Sequence, residues 1–254
     1  MTQIFVIVFI TILLILVINS SAGKKWITPK DVFPKKWRNI LNQYVLFYKN
    51  LSTKEKILFE FKVQEFLANC DIVPVETTIT DEDRVLVAAS AVIPIFAFPN
   101  WRYTNVDEVL IYPDSFSLGF EKNGENRNIL GMVGTGYMER KMILSQKALR
   151  LGFANESDKR NTAIHEFIHL IDKADGVVDG IPKVLLQRQY VIPWLDMMEK
   201  EAQRIAQGKS DINHYALTNR QEFFAVLGEY FFERPTLFKK NHPELFILME
   251  EIFK

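Results

Sequence analysis

Ile164-His165-Glu166-Phe167-Ile168-His169-Leu170-Ile171-Asp172 is the stretch on which the reading of this chain turns. Ile164, Phe167, Ile168 and Ile171 recur at i, i+3, i+4 and i+7, the spacing of a helix with one buried face. His165, His169 and Asp172 form an adjoining stripe. Residues four apart lie one turn above each other, so both imidazoles point the same way and can share one ion. Zinc suits that geometry, since it takes neutral imidazole nitrogen and in a catalytic site keeps one position for water. Glu166 falls about 60° round the helix from His169, within reach of that water rather than of the metal. Asp172 is a candidate partner behind the ligands, or else a solvated acid at the helix end.

A catalytic zinc needs a third protein ligand. The candidates lie in His214 to Phe232, where Glu222 and Glu229 are seven apart and share nearly one helix face. Periodicity alone does not separate them. Ala225 beside them is small enough to admit a neighbouring helix. His242 precedes Pro243 and reads as a surface loop residue, and His214 draws interest only through its neighbour Tyr215.

Outward from this centre, the 254 residues are 48% hydrophobic, enough for one sizeable core without cross-links. Lys plus Arg and Asp plus Glu balance at 31 each, so no global field favours nucleic acid as a partner. The single cysteine, Cys70, excludes an internal disulfide and reads as a buried structural thiol at a helix end. Ser52-Thr-Lys-Glu55 is a capping-box pattern opening a helix to Cys70, and Asp81 can cap a second that Pro94 stops. Strand-like runs occupy Glu108–Tyr112 and Lys141–Ser145, and further helices are expected over Lys159 to Asp172, Pro193 to Gln207 and Asn219 to Phe232. The class is α+β, mostly helical with a small sheet.

Residues Thr2 to Ala22 carry no charge and as a helix would span about 30 Å, the thickness of a bilayer's hydrocarbon core. Residues 1–22 therefore read as a transmembrane anchor, with a cleaved signal peptide ending near Ala22 as the alternative. Lys24, Lys25, Lys30, Lys35, Lys36 and Arg38 follow against one acid, Asp31. That excess places the remainder in the cytoplasm as a single-pass membrane protein, with a basic juxtamembrane segment at 23–50 and the folded domain at 51–254.

These residues resemble the Mlc titration factor A family of zinc-dependent peptidases, whose catalytic region is similar to that of anthrax lethal factor. The likeness rests on Ile164 to Asp172, on Asp175-Gly176 with Asp179-Gly-Ile-Pro182, and on Tyr215 through Glu222-Phe-Phe-Ala-Val-Leu-Gly-Glu-Tyr-Phe-Phe232. It extends to Leu86-Val-Ala-Ala89, the Pro94 region and Val109-Leu-Ile-Tyr-Pro113. The resemblance implies a zincin-like domain and a gluzincin-like site with one Zn2+ per chain, held by His165, His169 and Glu222. It also implies that Tyr215 donates to the developing oxyanion and leaves Glu229 a supporting role. The expected reaction is hydrolysis of a peptide or protein substrate, with Glu166 as the base. The Lys141–Ser145 run is the expected edge strand for aligning that substrate. The rival reading is a regulatory protein that sequesters a partner such as a transcriptional regulator, with zinc structural or the site idle.

Overall fold

The computed structural model describes residues 26–116, 129–155 and 158–254. The proposed anchor at 1–22 lies outside the described residues. Among those described, no helix is long and apolar enough to cross a membrane.

The Thr53–Asn69 helix opens where the sequence puts it. Ser52 N–H donates to Glu55 Oε2 at 2.8 Å, and Glu55 N–H donates back to Ser52 Oγ at 3.4 Å. Phe59, Val63 and Phe66 make its buried stripe, and Cys70 ends it as a buried thiol. The second helix, Asp81–Ile95, begins one residue earlier than Asp81 capping would give. Thr80 is the N-cap, its backbone in an extended conformation and its N–H donating to Asp83 Oδ2 at 2.8 Å. Val85 to Ile95 are all buried, so this helix is the central pillar, and Pro94 falls within its last turn.

The sheet has four strands: β1 (Asp71–Pro74), β2 (Glu108–Tyr112), β3 (Gly131–Val133) and β4 (Lys141–Ser145). Their order is β1-β2-β4-β3, with β1, β2 and β4 parallel and β3 antiparallel to β4. This overturns the expectation for Lys141–Ser145: it is an interior strand, hydrogen-bonded on both sides, and the edges are β1 and β3. Met142, Ile143 and Leu144 are buried, and such an unbroken apolar run marks a strand covered on both faces. Three residues beginning with glycine are too short to show strand alternation, so β3 was invisible to that reading.

The segment read as basic and juxtamembrane contains two helices, Lys35–Tyr44 and Leu46–Lys49, packed on the core through Leu41, Val45 and Tyr48. Its positive charge is partly consumed in the fold. Arg38 makes a bidentate pair with buried Glu60 at 2.7 Å on each arm, and Tyr48 donates to the same carboxylate at 2.6 Å. His242 is likewise buried rather than on the surface. Its Nε2 lies 2.6 Å from Asp211 Oδ1 and its Nδ1 3.1 Å from Glu201 Oε1. Asp211 also accepts from Lys159, Tyr230 and Asn241, tying the C-terminal helices to the approach of the His165 helix. Burial works to raise the Asp211 carboxyl, but these donors outweigh it and hold it well below the usual range.

The Thr162–Asp172 helix packs between the central pillar, the Arg220–Glu233 helix and β3. Its contact with Arg220–Glu233 depends on Gly228, where a Cβ would lie 2.1 Å from Ile168 Cδ1. Gly228→Ala is expected to lower stability by about 1–3 kcal/mol in urea unfolding, because it overpacks a buried crossing. Adding Ile168→Val removes the obstructing methyl, so the double variant should lose measurably less than the sum of the two single losses.

Candidate metal centre

Each site helix is started by an asparagine. Asn161 accepts from Ile164 N–H at 3.1 Å to open Thr162–Asp172, and Asn219 accepts from Glu222 N–H at 2.9 Å to open Arg220–Glu233. The first helix presents His165 and His169, and the second presents Glu222 in its first turn. Their ligand atoms all lie within 4.8 Å of one another. His165 Nε2 is 3.0 Å from His169 Nε2 and 2.9 Å from Glu222 Oε2, and His169 Nε2 is 3.4 Å from the same oxygen. Tetrahedral bonds of 2.0–2.1 Å put neighbouring ligands about 3.3–3.4 Å apart, so two sides of this triangle need open only by a few tenths of an ångström to seat a zinc-sized ion.

The electrostatics agree with that fit. Burial works against a charge on His165, yet the carboxylates of Glu229 and Glu222 on its two ring nitrogens push it up to about 10. Burial likewise works to raise Glu222, but His165 and His169 hold it down at about 2. A buried spot that favours positive charge this strongly, lined by two imidazoles and a carboxylate, has the donor set of a divalent metal site.

Glu229 sits behind the triangle. Its Oε1 lies 2.5 Å from His165 Nδ1, and its Oε2 accepts from Asn161 N–H at 2.8 Å. With Nδ1–H donating to Glu229, Nε2 faces the other two donors, and an ion that displaced the Nε2 proton would meet the lone pair there. The sequence could not rank Glu222 against Glu229. Folded, they take different places, one on the open side of His165 and one beneath it.

Glu166 is buried beside the triangle, and burial raises its carboxyl. Gly131 of β3 stands so close that a Cβ there would lie 2.6 Å from Glu166 Cγ. Only glycine lets the edge strand cross the carboxylate at this distance. Tyr215 lies on the His214–Leu217 turn, half-exposed, its ring centroid 6.1 Å from that of His165. Asn213 caps this turn by accepting from Tyr215 N–H at 3.0 Å. His214 is exposed and outside the ligand triangle. Asp172 is neither solvated nor bonded to a ligand imidazole. It is buried, accepts from Gly180 N–H at 2.9 Å, and is pushed up to about 6 by that burial. Its work is to hold the loop after the helix.

Two helices that cross beside a small mixed sheet, one carrying both histidines and the other a glutamate, define a metallopeptidase-like fold. The chain belongs to the family described as glucose-regulated metallo-peptidase M90, which matches residues 19–254. It is 28% identical over 233 residues to an uncharacterized protein of Synechocystis sp., covering 87% of this chain and 84% of that one. It is 25% identical over 217 residues to Mlc titration factor A of Pectobacterium atrosepticum, covering 80% of each chain. It is 28% identical over 232 residues to Mlc titration factor A of Escherichia fergusonii, covering 86% of this chain and 84% of that one.

Zinc titration of the purified chain, followed by elemental analysis, should reach one equivalent. Glu222→Ala should lose most of the affinity, whereas Glu229→Ala should weaken binding only about 10- to 100-fold, as loss of a ligand's partner does. The reverse order would assign the third donor to Glu229.

Proposed function

We propose that this chain is a zinc-dependent peptidase with a gluzincin-like site. The observation that carries the reading is the convergence of His165, His169 and Glu222 beside a buried Glu166, whose carboxylate has no hydrogen-bond partner among the described residues, under an edge strand. When bound, the ion supplies Lewis acidity and makes its water easier to deprotonate. Glu166 takes a proton from the attacking water and returns it to the departing amine. Burial suits this role by bringing its basicity closer to that of the proton donor it serves. Tyr215 donates its phenolic hydrogen to the oxygen that gains charge at the scissile carbonyl. β3 aligns the substrate backbone, because its outer edge is unpaired by any described strand and it runs over Glu166.

A regulatory reading stands beside this one because two of the relatives are named as titration factors of Mlc. On that reading the chain sequesters a protein partner, and the metal maintains the shape of the surface rather than performing hydrolysis. Glu166→Gln distinguishes the two. It should keep its zinc, lose peptide hydrolysis by on the order of 10²-fold or more, and leave sequestration intact. Tyr215→Phe should lower turnover with zinc affinity nearly unchanged. Unchanged turnover in a zinc-loaded Glu166→Gln chain removes that residue from the mechanism.

We also propose that residues 1–22 anchor the chain in a membrane with the folded part on the cytoplasmic side. Support comes from the absence of charge in Thr2–Ala22, the basic cluster after it, and a family match that starts only at residue 19. Protease added to intact cells should leave the domain uncut. Digestion from outside, or a mature N-terminus near Gly23, reverses the assignment.

A further inference from the structure

The cleft over the metal centre has two unlike ends. Towards the C-terminal end of the site helix it is bounded by Lys173, whose ammonium is already engaged by Glu139 at 2.8 and 2.9 Å and by the Gly134 carbonyl at 3.1 Å. Towards the N-terminal end it is a cavity of about 440 Å³ whose lining includes Glu166, Tyr215 and Arg160. Arg160 also lines the next cavity, of about 330 Å³, so it stands at the junction where the cleft continues past the metal centre.

The cations and acids near this junction are not equivalent. Lys159 is neutralised by Asp211, with Nζ to Oδ2 at 2.6 Å. The Asp158 carboxylate accepts from Asn155 at 2.9 Å and from the Arg160 backbone N–H at 3.1 Å. Glu222 and Glu229 are held against the imidazole of His165. Among the described residues the Arg160 guanidinium has no acceptor, and it is exposed to the cleft. A planar five-donor group fits a carboxylate bidentately.

We propose that Arg160 is a specificity-determining residue that binds a carboxylate of the peptide substrate. The carboxylate belongs to an Asp or Glu side chain or to the peptide's C-terminus. This inference deepens the peptidase reading and rests on it, so the test needs a binding arm that does not require cleavage.

The zinc-loaded full chain is offered matched quenched-fluorescence peptides with Glu or Gln at successive positions, and pairs with free or amidated C-termini. The same peptides are titrated by anisotropy against the Glu166→Gln chain, with and without Arg160→Gln. The native chain should favour the acidic member about ten-fold at one position, as a charge-assisted hydrogen bond at a partly exposed site allows, and Arg160→Gln should reduce that ratio to about two-fold or less. Arg160→Glu should turn the preference towards lysine at the same position. Discrimination confined to the internal Glu pairs identifies a side chain as the ligand, and discrimination confined to free C-termini identifies the terminus. A native chain without preference, or a preference undiminished in Arg160→Gln, overturns the proposal. Arg160-dependent binding with no cleavage of any peptide would sink the peptidase reading while leaving the Arg160 assignment standing, and cleavage without Arg160 dependence would do the opposite.

Discussion

The carboxylate of Glu229 is the constraint on which the site depends. It reaches from one helix to two points on another: the backbone N–H of Asn161, which caps that helix, and Nδ1 of His165 one turn further on. One side chain therefore sets the separation of the helices, the start of the ligand-bearing helix and the orientation of its first imidazole. Two turns earlier on the same face, Glu222 meets the opposite nitrogen of that ring. The two carboxylates bracket His165, and neither could be moved along its helix without losing the other contact. Close approach of the backbones at Gly228 makes this bracket possible, because a side chain there would push the helices apart.

The sheet completes the cleft from the other side. Three parallel strands give it a buried, rigid body, and the short antiparallel β3 is added at the edge nearest the site helix. An edge strand offers backbone donors and acceptors to another chain, which is a hazard on an open surface and useful beside a reactive centre. Here the strand is limited to three residues and runs over Glu166, so whatever pairs with it is brought to the carboxylate.

Around the site, polar networks hold the secondary elements in place. Asp211 gathers Lys159, Tyr230, Asn241 and His242, joining the residues just before the site helix to the last two helices. Asp83 accepts from Arg150 at 2.8 Å on both oxygens, fixing the Gln146–Ala154 helix to the central pillar. Such networks cost little when every donor finds an acceptor, and they fix one arrangement among many apolar alternatives.

Local chemistry was legible from residue order alone. The His165 to Asp172 helix, its two-histidine face, the Ser52 capping box and the interior helices all follow from spacings within a turn or two, where covalent connectivity dictates which side chains are neighbours. Composition misled in three places. The charge of residues 23–50 hid the stripe formed by Leu41, Val45 and Tyr48. His242 looked exposed because it precedes proline, although its partners Glu201 and Asp211 come from elsewhere in the chain. β4 lies inside the sheet because β3, whose three residues carry no periodic signal, pairs along its far side. The separate roles of Glu222 and Glu229, the passage of Gly131 over Glu166 and the standing of Arg160 at the cleft end were decided only by tertiary structure. Each depends on a contact between residues far apart in the chain, and helical periodicity, which repeats every turn, gives two acids on one face the same address until a second helix arrives to tell them apart.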